Sequence, residues 1–122
     1  MRITVNLERT MAKNGWIGEF PSFIDIGHRR YTIRTFDRRE SDNEKRRGVI
    51  DEWAHTIRIW EDMRPSDAAE TLIHEVLHAC WRNVPTSGDM EENVVEILAQ
   101  NLAEVWRRNP HVIKWITKNV AA

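Results

Sequence analysis

The hydrophobic pattern of this chain changes character once, near Pro65, and that change limits the folds open to it. Before it, apolar residues alternate with polar ones, the signature of strands with one buried face. Ile3, Val5 and Leu7 alternate with Arg2, Thr4 and Asn6. Phe23 to Ile26 forms a short strand, and Tyr31 to Phe36 a longer one rich in β-branched and aromatic residues. Gly48 to Trp53 and Ile57 to Trp60 predict a hairpin turning near Ala54-His55-Thr56. Asn14-Gly15 marks an earlier turn, and Pro21 interrupts the segment after it. Beyond Pro65 the apolar spacing is helical. Pro65 suits a first helical turn, or Ser66 can cap it, and Leu72, Ile73, Val76, Leu77 and Cys80 form one face. That helix ends near Asn83, ahead of Pro85. A second runs from about Asp89 to Arg108 with a stripe of Val95, Leu98, Leu102 and Val105, and Asn109-Pro110 stops it. Val112 to Asn119 is a short third helix. Strands followed by helices predict an α+β domain: a small antiparallel or mixed sheet over residues 1–60, packed on helices over residues 65–120.

At 122 residues the chain is expected to be one domain. Its 18 basic and 19 acidic residues nearly balance, so overall charge supports neither a nucleic-acid partner nor an anionic membrane surface. No stretch approaches the roughly 20 apolar residues of a membrane span, and Met1 to Leu7 lacks the apolar run of a signal peptide. The single cysteine, Cys80, excludes an internal disulfide and fits a reducing cytoplasmic setting. Asp37 to Arg47 is almost wholly polar with mixed charge, and reads as a solvated, mobile loop. Six tryptophans are many for this length. Core filling explains them most simply, and lining a cleft is the sharper reading.

Chemistry concentrates in His74-Glu75-Val76-Leu77-His78. At about 100° per residue, side chains four apart lie one turn up the same face, so His74 and His78 can reach one tetrahedral zinc ion. Glu75 projects to the neighbouring flank, where it can touch a water on the metal rather than the metal itself. Three fixed positions match by chance often enough that context has to decide. Here the motif lies in an amphipathic helix, with Thr71 and Trp81 on the histidine face and acidic residues opening the next helix. Cys80 points nearly opposite to the histidines and reads as a core residue.

A catalytic zinc takes three protein ligands and keeps one open position. The remaining histidines are His28, His55 and His111, and the second helix begins with Glu91 and Glu92, followed by Glu96. Helical projection puts Glu92, Glu96, Ala99 and Ala103 along one edge of that helix's apolar stripe, while the zinc histidines sit at the edge of theirs. Glu92 is therefore the expected third ligand and Glu91, within the stripe, its rival, with a histidine or no third protein ligand as the remaining alternatives. Asp89-x-x-Glu92 also reads as a capping box, which would give Glu92 a purely structural role. An oxyanion donor would have to come from Tyr31, His55 or His111, among which the sequence does not choose.

Together these residues resemble zincin metallopeptidases of the glutamate-ligand type, and most closely the small domains related to the ImmA/IrrE family, including compact phage and prophage proteins. The resemblance spans roughly Gly48 to Pro110: a Gly-Val-Ile-Asp hairpin strand, Ile57-Arg58-Ile59, then Thr71 to Ala79 around the histidine motif, then Glu91 to Ala99. In that family the zinc glutamate is followed by small or apolar residues three, six and seven positions on, and Glu92, Val95, Leu98 and Ala99 match. The resemblance implies His74, His78 and Glu92 as zinc ligands and Glu75 as catalytic base. It also implies hydrolysis of a peptide or similar amide in a peptide or protein substrate. The very short link between the helices, Val84 to Gly88, departs from the family and implies a shallow cleft. Two other readings remain: a catalytically silent zinc-binding protein acting on a host regulator, and a metal-free helical interaction module.

Overall fold

The computed structural model of the chain describes residues 15–37, 47–81 and 90–122, and of residues 90–92 the backbone alone. The expected strand at Ile3 to Leu7, most of the polar loop and the link from Val84 to Gly88 lie outside the described residues.

Among the described residues four strands form one mixed sheet: β1 (Phe23–Ile26), β2 (Arg29–Phe36), β3 (Gly48–Asp51) and β4 (Thr56–Trp60), in the order β1-β2-β4-β3. The described residues after the sheet form three helices: α1 (Pro65–Trp81), α2 (Met90–Arg108) and α3 (Pro110–Val120). The α+β expectation holds. β1 and β2 are antiparallel, joined by a tight turn in which Gly27 adopts a positive φ of 62°. β3 and β4 form the expected hairpin, with Ile50 opposite Ile57. The hairpin strand is shorter than its apolar pattern, because Asp51 Oδ1 accepts the backbone N–H of both Trp53 and Ala54 at 3.0 Å and folds them into the turn. The central pair, β2 and β4, is parallel, aligning Ile33 with Ile57.

One sheet face carries the core. Ile24, Ile26, Tyr31, Ile33, Ile57 and Ile59 are buried and alternate with more accessible neighbours, as the pleat requires. Against them lie Ala68, Ala69, Leu72, Val76, Ala79 and Cys80 of α1, then Val105 of α2 and Val112, Trp115 and Ile116 of α3. Helix α1 packs on α3 as well as on α2, a partner the sequence pattern did not single out. Val95 also departs from its expected place. It is 59% exposed, because α2 turns Asn101 and Val105 inward, and Asn101 donates to the Cys80 carbonyl at 2.9 Å. The tryptophans divide: Trp16 and Trp115 fill the core, edge-on at 5.5 Å, while Trp53, Trp81 and Trp106 are exposed.

Two buried asparagines join distant segments by one device. Asn109 accepts from the Asp25 N–H through Oδ1 at 2.8 Å and donates through Nδ2 to the carbonyls of Asp25 and Val105. Asn119 does the same for Ile17, and donates also to the Trp115 carbonyl. Each amide offers the backbone both a donor and an acceptor, as a neighbouring strand would. Replacing either asparagine by alanine orphans those groups in the interior. Asn109→Ala and Asn119→Ala are each expected to lower unfolding free energy by about 1–3 kcal/mol in chemical denaturation.

Candidate metal centre

Helix α1 presents its chemistry along the border of its buried arc. Thr71, Leu72, Glu75, Val76, Ala79 and Cys80 are buried, whereas His74 and His78 are exposed. The two imidazoles meet edge to face, ring centroids 4.7 Å apart, with Nε2 of one 3.1 Å from Nε2 of the other. Two ligands of one tetrahedral zinc, each bonded at about 2.0–2.1 Å, stand about 3.3–3.4 Å apart. The observed 3.1 Å is in the range of an imidazole–imidazole hydrogen bond and falls a few tenths of an ångström short of that separation.

Beside them runs a cleft of about 600 Å³ between α1 and the edge strand β3, lined by Arg47 to Ile50 on the strand side and by Glu70, Thr71, His74, Glu75 and His78 on the helix. Glu75 forms part of its floor and is only 5% exposed. Its neighbour across the cleft explains how a carboxylate fits there. A Cβ on Gly48 would stand 2.6 Å from Thr71 Cγ2 and 3.0 Å from Glu75 Oε2. Strand and helix approach this closely only because position 48 has no side chain. Arg47, which the polar pattern assigns to a loop, lines the cleft, and its guanidinium lies 3.9 Å from Asp67 in the first turn of α1. Sequence reasoning missed both Arg47 and Gly48 as site residues. A glycine opening a strand opposite the motif helix was the available signal.

The remaining expected site residues fall elsewhere. Among the described residues no third His, Cys, Asp or Glu joins His74 and His78 in a metal-binding group. The side chains of Glu91 and Glu92 lie outside the described residues. None of the three expected oxyanion donors lines the cleft. Tyr31 is buried and donates its hydroxyl to Glu52 Oε1 at 2.7 Å; burial first, then the Glu52 carboxylate, pushes its pKa up to about 12. His55, at a φ of 51°, lies in the β3–β4 turn with its ring 5.7 Å from that of Tyr31. His111 sits against Phe23, its Nε2 2.9 Å from the Phe23 carbonyl oxygen. Cys80 is in the core as expected, and burial pushes its thiol up to about 11.

No family model, curated protein or solved structure matches the chain. No helix among the described residues is long and apolar enough to cross a membrane.

The contact at Gly48 can be tested directly. Gly48→Ala should destabilise the fold by about 1–3 kcal/mol, the range for overpacking a close contact. Adding Thr71→Ser removes the nearest obstructing carbon and should recover part of that loss. The coupling between the two changes, read from denaturation of both single variants and the double, measures how closely β3 rests on α1.

Proposed function

We propose that this chain is a zinc-dependent hydrolase of peptide or similar amide bonds. In this reading His74 and His78 are two zinc ligands, Glu92 is the third with Glu91 as its rival, and Glu75 is the general base. The observation that carries it is the convergence of the two Nε2 atoms, 3.1 Å apart at the edge of a cleft whose floor includes Glu75. Zinc held there would supply Lewis-acid polarisation of a carbonyl and acidify the attacking water.

The chain's own groups supply the rest. Glu75, fixed on the helix turn that carries the histidines, takes a proton from the attacking water and returns it to the leaving amine. Arg47 is the cation among the described cleft-lining residues and can orient an acyl oxygen or a substrate carboxylate. β3 forms the opposite wall, so an extended peptide has a strand to lie along. The resemblance to the ImmA/IrrE family supports the same roles, and a buried free thiol at Cys80 suits a cytoplasmic setting.

Metal analysis of protein purified without chelator is expected to find one zinc per chain, lost in His74→Ala and His78→Ala. Glu75→Gln should keep zinc and fold yet reduce peptide hydrolysis by about 10²–10⁴-fold, the range for a general base. Glu92→Gln should weaken zinc binding more than Glu91→Gln does, and the reverse order would transfer the ligand role to Glu91. Full zinc occupancy in the His74→Ala/His78→Ala double variant removes the site altogether. Zinc bound normally with no turnover of any peptide would leave a silent zinc-binding protein.

A further inference from the structure

Helix α2 carries a second apolar stripe that the other described residues leave uncovered. Val95 is 59% exposed and Trp106 48%, and Ala99 and Ala103 are exposed between them. At about 100° per residue these four positions fall within an arc of about 80°. The arc lies to one side of Asn101 and Val105, which face the core and the end of α1. Such a stripe on a nineteen-residue helix is wide enough to receive another helix.

The flanking charges identify which helix. Glu96 and Arg107 lie on the same flank of the stripe, within about 20° of each other around the helix axis. Both are exposed. We infer that α2 pairs antiparallel with α2 of a second copy of this chain, about a twofold axis passing near Asn101 and Leu102. A twofold perpendicular to both helices keeps each flank on its own side and reverses the direction of the chain. Glu96 then lies level with Arg107 of the second copy, to within about 1.5 Å along the axis at 1.5 Å per residue, and the symmetry repeats the pair. Ala99 stands within about 1.5 Å of the level of Ala103 of the second copy, and Val95 within about 3 Å of Trp106 of the second copy. The alanines lie at the crossing, where small side chains let the axes come close, and the larger residues close the ends.

Arg107 already donates to Glu104 of its own helix at 2.7 Å, but its side chain is 68% exposed. The guanidinium fork has further donors for a second carboxylate. A parallel pair, related by a twofold along the helices, would carry the two flanks to opposite sides and separate Glu96 from Arg107, so the charges select the antiparallel form. The paired region runs only from Val95 to Arg108, because α2 ends at Arg108 and that end reaches the level of position 95. Position 92 lies beyond that region along the helix axis.

Sedimentation equilibrium of the full chain over a range of protein concentrations tests this. A reversible monomer–dimer equilibrium is expected. Ala99→Glu, at an exposed position, should abolish the dimer while leaving the far-ultraviolet circular dichroism of the monomer unchanged. Arg107→Glu should weaken dimerisation by about tenfold or more through two like-charge contacts, and adding Glu96→Arg should restore it. Position 96 is two turns from Glu104, so that restoration cannot come from repair of the intrahelical pair. A chain monomeric up to its solubility limit overturns the inference. So does a dimer indifferent to Ala99→Glu, or one that the charge-swapped double variant fails to recover.

Discussion

Helix α1 lies close to the sheet because much of its buried arc is small: Ala68, Ala69, Ala79 and Cys80 surround Leu72 and Val76. Interior packing leaves no room for slack, so the distance between helix and sheet follows from the side chains at the contact. The isoleucines of β1, β2 and β4 supply the bulk from the other side. Once that distance is set, the edge strand β3 has to pass over α1 at van der Waals range. Gly48 is the consequence, because any Cβ at that position would meet Thr71 and Glu75. The cleft and its floor follow from this one approach.

The helices behind α1 hold that geometry through a few polar contacts in an otherwise apolar interior. Asn109 ties the α2–α3 junction to β1, and Asn119 ties the end of α3 to the segment entering the sheet. Trp16 adds a third tie, donating its indole N–H to the Met63 carbonyl at 2.8 Å just ahead of α1. Each joins residues far apart in sequence, 47 positions for Trp16 and 102 for Asn119. Such contacts fix one arrangement of layers among several that apolar packing alone would allow. The surface ion pairs contribute less. Arg30 and Asp25 are bidentate but lie at the sheet margin, where solvent screens them.

Local features were legible in the sequence wherever a local rule governs them. The alternation through Tyr31 and Ile33, the helical spacing through Leu72 and Val76, and the Asn109-Pro110 stop each depend on neighbours a few residues away. What was not legible depends on partners far along the chain. The parallel pairing of β2 with β4 is decided by how the whole sheet closes, not by either strand's pattern. The inward turn of Asn101, which leaves Val95 exposed, follows from the Cys80 carbonyl, an acceptor twenty-one residues away. Asn109 and Asn119 look like ordinary polar residues at a helix start and a helix end. Their burial follows from the sheet edge and the entering segment that they meet. At the site, the spacing of His74 and His78 suffices to bring them together, whereas Arg47 and Gly48 come to the cleft through the hairpin's position over α1.

Glu75 stands apart within this scheme. A helix chosen only to pack would place an apolar side chain at position 75, as it does at Leu72, Val76 and Ala79. A carboxylate that is 5% exposed is costly unless its environment compensates for lost water, and an apolar residue of similar volume commonly makes a more stable core. Thr71 and Glu75 are the polar members of the α1 buried arc, they lie one turn apart, and Gly48 sits over both. Two departures from good core composition and one glycine in a strand coincide at a single point. That point is next to two imidazoles that meet nitrogen to nitrogen. Packing accounts for Gly48, and Thr71 Oγ1 donates to Met63 Sδ at 3.7 Å, so Glu75 is the choice that bears most on the proposed role: a carboxylate held largely out of water beside the imidazole pair.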